Sequence, residues 1–272
     1  MTAPPEPLGL IAGNGHLPLA IAREARRRGL SVVTVAHRGE TLPEIALEVD
    51  EITWVSVGSL GRIVQAFRAA GVRRAIMAGG LDKARLLRRF RPDLAALRVL
   101  LSVRGRGDDR LLRAVADYLA TEGIEIVDCA ALTPDLLAPA GVLSRRPPTA
   151  PERTDIEEGW RVARALGDLD VGQSVAVKSG AIVAVEAVEG TDALIRRAGE
   201  LAGPGVVIVK AAKPGQDLRF DVPTVGPQTV ETMAEVGAAV LAVEAGRTLL
   251  LDRAETVARA NRHRIALVGH GT

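Results

Sequence analysis

Between positions 210 and 221 the chain places two lysines (Lys210, Lys213), an arginine (Arg219), an amide (Gln216) and two carboxylates (Asp217, Asp221) within twelve residues. Ammonium and guanidinium groups match phosphate oxygens, whereas carboxylates hold Mg²⁺ or Mn²⁺ or orient a water molecule. That mixture suits phosphate chemistry better than a surface loop with incidental charges. A second polar group stands upstream. Asp168-Leu169-Asp170-Val171-Gly172-Gln173 precedes a strand-like run, and Val183-Ala184-Val185-Glu186 leads into Glu189-Gly190-Thr191-Asp192. An N-cap role for Thr191 and a first-turn role for Asp192 explain part of it. They do not explain Glu186, a carboxylate at the end of an apolar strand.

Two glycine turns in the first half point the same way. Gly13-Asn14-Gly15-His16-Leu17-Pro18 lies between a strand-like run and a helix-like one. Glycine there lets the backbone approach a ligand, and a helix N-terminus favours a phosphate. The dinucleotide fingerprint fails, because Pro18 stands where the third glycine belongs and the second strand ends in His37-Arg38 instead of a carboxylate. A nucleotide or phosphate fits the turn; NAD does not. His16 serves equally as a cap or a catalyst. Ala78-Gly79-Gly80-Leu81-Asp82-Lys83 follows another strand end, and ligands collect at the carboxyl ends of strands in open α/β sheets. Gly107-Asp108-Asp109 reads as a helix start, with carboxylates favoured by capping and by the helix dipole. Arginines interleave with leucines and valines over 85–106, which gives either a solvated helix face or a basic surface for anionic head groups.

The elements that must position these residues alternate in type. Strand-like runs at 8–12, 31–36, 52–55, 74–78 and 124–127 are separated by helical patterns, one of which puts Leu60, Ile63, Val64 and Phe67 on a single stripe. This alternation predicts parallel βα units and a Rossmann-like α/β domain over 1–132. Prolines 134, 139, 147, 148 and 151 then interrupt any helix, so 133–151 reads as a linker. Over 152–272 the pattern becomes α+β: a helix near 153–166, two strands around the turn Lys178-Ser179-Gly180, a buried strand at 206–209, and helices from Pro227 and Asp252.

Composition narrows the classes. The chain has 272 residues, 47% hydrophobic and 25% charged, which suits a globular protein. Aromatic residues are only 2%, so base-stacking platforms for single-stranded nucleic acid are nearly absent, and a net charge of +2 is too mild to indicate such a partner. One cysteine, Cys129, excludes an intrachain disulfide and a cysteine-based zinc cluster. With no secretory signal pattern and no apolar run of the ~18 residues needed to span a bilayer, a cytoplasmic location is expected.

The ordered series of motifs resembles the LpxI-type UDP-2,3-diacylglucosamine pyrophosphatases of bacterial lipid A synthesis. It runs from Leu10-Ile11-Ala12-Gly13-Asn14-Gly15 through Met77-Ala78-Gly79-Gly80 and Gly107-Asp108-Asp109. Leu169-Asp170-Val171-Gly172-Gln173 and Val185-Glu186-Ala187-Val188-Glu189-Gly190-Thr191-Asp192 follow. The stretch from Lys213-Pro214-Gly215-Gln216-Asp217 through Arg219-Phe220-Asp221-Val222-Pro223 completes it. The resemblance implies two domains with substrate held between them. It also implies hydrolysis of UDP-2,3-diacylglucosamine to UMP and 2,3-diacylglucosamine 1-phosphate with a divalent cation, Mg²⁺ or Mn²⁺.

Asp221 is the aspartate carried over as catalytic, binding the cation or orienting the water. Asp192 and Gln216 are expected beside it, with Glu186 as a further metal ligand. Gly13, Asn14, Gly15, His16, Gly79, Gly80, Thr191, Lys210, Lys213 and Arg219 are expected to bind substrate. Peripheral contact with the inner membrane and a homodimer are further expectations; nucleic acid is not an expected partner. Two rival readings are an NADP-dependent reductase using His37 and Arg38, and a non-catalytic module that binds nucleotide-sugars or lipids.

Overall fold

Leu8–Ala12 forms β1, and all five of its residues are buried, as a strand paired on both edges and covered on both faces must be. The computed structural model describes residues 6–81, 90–103, 108–213, 217, 219–220 and 222–271. Two units divide the chain. The first runs to Thr133 and also takes in Asp217, Arg219 and Phe220; the second begins at Pro134 and resumes at Val222.

In the first unit β1 pairs in parallel with β2 (Val32–His37) on one side and β4 (Arg74–Ala78) on the other, so that Leu8 faces both Val32 and Arg74. Adding β3 (Glu51–Val55) and β5 (Glu125–Ile126) gives the order β3-β2-β1-β4-β5, all parallel. Helix α1 (Leu17–Arg27) follows β1 and α2 (Leu60–Ala69) follows β3. The expected stripe of α2 is buried: Leu60, Ile63, Val64 and Phe67 pack with Val33, Val35, Ala75, Leu119 and Ile124. Helix α3 (Leu94–Ser102) begins at Asp93, whose carboxylate accepts from the Ala96 N–H at 2.9 Å and from Gly61 N–H of α2 at 2.8 Å. One side chain thus caps a helix and ties it to its neighbour. Leu119, on α4 (Asp108–Thr121), closes the core.

Of the stretch 133–151, expected as a linker, all but Thr133 is built into the second unit. Ala138 is fully buried and donates its N–H to the Thr248 carbonyl at 2.8 Å, and β6 (Gly141–Val142) pairs antiparallel with β13 (Ala266–His270). Prolines prevent a helix there but permit an edge strand. The following helix, α5 (Ala150–Asp168), starts earlier than expected. Thr149 and Glu152 form a capping box, and Pro151 sits in the first turn, where its missing N–H is no loss.

The six-stranded sheet of this unit has the order β6-β13-β11-β9-β7-β8. Its central strands, β9 (Val207–Lys210), β11 (Val240–Glu244) and β13, are mutually parallel; β7 (Ser174–Lys178) and β8 (Ala181–Val185) form an antiparallel hairpin at one end. The α+β pattern expected from sequence therefore contains a parallel βαβαβ centre, threaded through α7 (Pro227–Glu235) and α8 (Arg253–Arg262). Strand residues alternate between two helical layers. Val207 and Val209 pack with Ile156 and Trp160 of α5, while Ile208 packs with Leu194, Ile195 and Met233 of α6 (Thr191–Ala202) and α7. A separate parallel pair, β10 (Thr224–Val225) and β12 (Leu249–Leu250), completes the unit.

Candidate functional site

Strand order reverses between β1 and β4, and the two glycine turns meet at their carboxyl ends, where doubly wound sheets leave a crevice. Asn14 N–H donates to the Gly80 carbonyl at 2.8 Å, Gly80 N–H returns a bond to Asn14 Oδ1 at 3.1 Å, and Gly13 N–H donates to the Ala78 carbonyl at 2.8 Å. The contact is too close for side chains. A Cβ on Gly13 would lie 2.3 Å from the Gly80 carbonyl oxygen, and one on Gly79, at φ +82°, would lie 2.3 Å from that of Asn14. Beyond the turn His16 occupies the N-cap of α1 without a side-chain capping bond, and the first turn holds no acid. That helix end is left with its positive dipole unopposed.

A third strand end joins the turn. His37 Nδ1–H donates to the Ala12 carbonyl at 2.9 Å, and the Thr41 hydroxyl donates to the same oxygen at 2.5 Å. Burial pushes the His37 imidazole below its usual pKa, partly opposed by the Ala12 bond and by Glu40. The folded unit holds His37 neutral, while the unfolded chain binds a proton below its ordinary value of about 6.5. Stability from this group is therefore present above that value and lost as pH falls below it toward the lowered folded pKa. Urea unfolding should show the first unit weaker near pH 5.5 than near pH 7.5, and His37→Gln should flatten the difference. An unchanged slope in His37→Gln would rule the histidine out.

In the second unit a chain of buried polar groups ends in a carboxylate. Lys210 and Glu186 are each only 6% exposed. Lys210 Nζ donates to Thr191 Oγ1 at 3.0 Å and to the Thr224 carbonyl at 3.1 Å; the Thr191 hydroxyl donates to Glu186 Oε1 at 2.9 Å, and Ser174 Oγ lies 3.3 Å from Thr191 Oγ1. Gly172 presses on this group, since a Cβ there would stand 2.0 Å from the Glu186 carbonyl oxygen. Thr191 is not the N-cap expected from the sequence. Gly190, at φ +84°, takes that place, and the threonine hydroxyl is turned into the buried group. Glu186 Oε2 and Gln173 Oε1 are buried acceptors with no hydrogen-bond partner among the described residues. An acceptor left so costs free energy unless a ligand or water supplies a donor or a cation.

The charged residues that follow Lys210 in sequence are engaged within their own units. Lys213 Nζ bonds Asp170 Oδ1 at 2.7 Å. Arg219 grips Asp217 through Nε at 2.9 Å and Nη2 at 2.7 Å, holding that carboxyl below the ordinary range. Phe220 packs on the core of the first unit, with the Arg219 guanidinium 4.9 Å from its ring centre.

Two family models cover almost all of the chain: the LpxI N-terminal domain matches residues 7–136, and the LpxI C-terminal domain matches residues 139–268. The chain belongs to the LpxI family. The UDP-2,3-diacylglucosamine pyrophosphatase LpxI of Caulobacter vibrioides is 36% identical over 265 residues, which cover 93% of this chain and 94% of that one. Similarity to solved structures is low. The biotin carboxylase domain of a thermophilic 2-oxoglutarate carboxylase has a TM-score of 0.29 at 16% identity, and the match covers 72% of this chain and 33% of that one. An L-amino acid ligase from Bacillus licheniformis has a TM-score of 0.27 at 15% identity, covering 72% and 43%. These values bear on neither fold nor activity.

Of the residues singled out in this LpxI chain, the first unit brings together Gly13, Asn14, Gly79 and Gly80, with Gly15 and His16 continuing into α1. The second brings together Glu186, Thr191 and Lys210. Asp192 lies in the first turn of α6. Asp221, Gln216, Asp82, Lys83 and Gly107 lie outside the described residues, as do the side chains of Asp108 and Asp109. Sequence reasoning passed over Ser174; its one signal is a polar residue opening the apolar run Ser174-Val175-Ala176-Val177. Among the described residues no group of three or more His, Cys, Asp or Glu side chains is placed to hold a metal ion. The unpartnered Glu186 and Gln173 oxygens are nonetheless hard donors of the kind Mg²⁺ and Mn²⁺ prefer.

Proposed function

We propose that this chain hydrolyses the pyrophosphate bond of UDP-2,3-diacylglucosamine to UMP and 2,3-diacylglucosamine 1-phosphate. The observation that carries the reading is near full-length similarity to the Caulobacter enzyme of that name, with both family domains present in order. A divalent cation, when bound, supplies charge neutralisation on the phosphate oxygens and the leaving group. Asp221, by its place in Arg219-Phe220-Asp221-Val222-Pro223, contributes the carboxylate that binds the cation or orients the attacking water. Glu186 offers its unpartnered oxygen as a further ligand, oriented by Thr191 and Lys210. The glycine turn at Gly13 and Gly79 receives the nucleotide phosphate at the end of α1.

No described helix is long and apolar enough to cross a membrane. We place the reaction in the cytoplasm, at the inner-membrane surface where a diacyl substrate resides. The exposed stripe of α3 supports that placement: Leu94 is 76% and Leu101 78% exposed, with Leu97 and the exposed Arg98 between them.

The test is release of UMP from UDP-2,3-diacylglucosamine by the purified chain with Mg²⁺ or Mn²⁺, then with excess EDTA. Turnover that falls to background with EDTA is expected, and Asp221→Ala should lower it by roughly a hundredfold or more. A folded protein without turnover in any metal would overturn the reading. Turnover indifferent to EDTA would remove the cation, and near-normal turnover in Asp221→Ala would remove that residue.

A further inference from the structure

Asp217, Arg219 and Phe220 belong to the first unit, although Lys213 before them and Val222 after them belong to the second. An apolar anchor and a set of ion pairs hold this short segment where it is. Phe220 packs against the core cluster that contains Phe67, Leu119 and Ile124. An aromatic ring is the largest apolar group such a polar stretch can bury. Around it the segment folds back on itself. Asp217 Oδ1 accepts from the Arg219 N–H at 3.2 Å, and the Asp217 carbonyl accepts from the Phe220 N–H at 3.1 Å. The Arg219 side chain closes that turn through Nε and Nη2, and its guanidinium carbon lies 4.9 Å from the centre of the Phe220 ring.

Helix α4 completes the clasp. Arg113 Nε stands 3.7 Å from Asp217 Oδ2, and Asp117, four residues on and so on the same helix face, attracts Arg219. Arginine and aspartate alternate in the order Arg113, Asp217, Arg219, Asp117, with the Phe220 ring beside the second arginine. In the second unit the start of the same loop is fixed through its main chain. The Ala211 N–H donates to the Gln173 carbonyl at 2.9 Å, and the Ala212 N–H donates to Glu244 Oε2 at 2.7 Å. Asp221 follows Phe220 directly, so its Cα is held ~3.8 Å from that of Phe220 by covalent geometry alone. Seating the ring therefore limits where the next residue can start, and a shift of ~1 Å in a reacting group can cost about a hundredfold in rate.

We propose that Phe220 is a positioning residue: seated in the core of the first unit and covered by the Arg219–Asp217 clasp, it fixes the main chain from which Asp221 acts. The proposal rests on Asp221 as the carboxylate of the proposed hydrolysis. Arg219, with two of its three guanidinium nitrogens on Asp217, serves the loop rather than the phosphate.

The test is steady-state release of UMP from UDP-2,3-diacylglucosamine in Mg²⁺ by the wild type, Phe220→Ala, Phe220→Leu, Asp217→Asn, Arg219→Ala, Asp221→Ala and the double variant Phe220→Ala/Asp221→Ala, each checked for folding by circular dichroism. Phe220→Ala should lower kcat by roughly ten- to a hundredfold and leave KM within about threefold. Phe220→Leu, which keeps an apolar anchor, should recover most of that rate. Arg219→Ala should likewise lower kcat more than it raises KM. With Asp221 already removed, Phe220→Ala should cost nothing further, because its effect runs through that carboxylate.

Wild-type kcat in Phe220→Ala, alongside an inactive Asp221→Ala, overturns the positioning role and leaves the hydrolysis standing. The same loss from Phe220→Ala with and without Asp221 overturns it too, since the ring would then support the fold in general. A raised KM at unchanged kcat in Arg219→Ala returns that guanidinium to the phosphate and contradicts the clasp. Near-normal turnover in Asp221→Ala overturns the reading on which the proposal stands. If Phe220→Ala proves unfolded, Asp217→Asn decides, because it loosens the clasp without emptying the core: a lower kcat at constant KM is expected, and an unchanged kcat overturns the proposal.

Discussion

Lys210→Met is expected to cost the second unit roughly 3–5 kcal/mol, the range for removing one partner from a buried ionic group. Lys210 ends β9, inside the sheet between β7 and β11, and its ammonium heads a hydrogen-bond chain through Thr191 to Glu186. Methionine keeps much of the length but neither the charge nor the donors. Thr191 Oγ1 and the Thr224 carbonyl then lose the ammonium's hydrogen bonds, and a carboxylate only 6% exposed loses its nearby positive charge. The companion is Glu186→Gln, which still accepts from Thr191 while removing the negative charge. Combining the two changes removes both charges, and the double variant should recover part of the loss, with a coupling of roughly 1 kcal/mol or more. Urea unfolding followed by circular dichroism measures all four corners of this cycle. If Lys210→Met stays within about 1 kcal/mol of wild type, the ammonium is not balancing the buried carboxylate and the argument fails.

Much of the first unit was legible because its determinants are local. A parallel strand buried on both faces reads as a short apolar run, and Leu60, Ile63, Val64 and Phe67 mark one helix face by spacing alone. The glycine turns were legible as strand ends. Their contact was not, since it depends on β1 and β4 being neighbours, and strand order leaves no trace in periodicity. The second unit shows the same limit more sharply. Thr191 satisfies the local rule for an N-cap, yet its hydroxyl serves Glu186 and Lys210, the latter 19 residues away.

Lys210 and Lys213 look alike as charges in a sequence. One ammonium is folded under a sheet end; the other reaches the exposed Asp170. Prolines between 133 and 151 exclude a helix through most of the stretch, but whether the chain is free or paired at a sheet edge depends on β13, more than a hundred residues downstream. Family membership, by contrast, was readable early, because an ordered series of short motifs survives where each local rule is ambiguous.

Gly79→Ala should destabilise the first unit by about 2–5 kcal/mol, the sum of a left-handed backbone cost near 1–2 and an overpacking cost near 1–3. At φ +82° any Cβ is strained, and here it would also stand 2.3 Å from the Asn14 carbonyl oxygen. Neither atom belongs to a side chain that can rotate away, so relief requires the two turns to separate. Gly13→Ala tests the contact from the other turn, where the added Cβ meets the Gly80 carbonyl oxygen at 2.3 Å. Gly15→Ala isolates the backbone term: it shares φ +82° but has nothing within 4 Å of the new atom, and should cost only about 1–2 kcal/mol. Urea midpoints of the three variants give the comparison directly. Equal losses in Gly79→Ala and Gly15→Ala would mean that the turns yield without penalty, and close approach could no longer account for glycine at position 79. A larger loss in Gly79→Ala, joined by weaker UDP binding under native conditions, would tie the same contact to the nucleotide. The turns that hold each other at the switch point of the sheet would then also set where the α1 N-terminus meets the nucleotide phosphate.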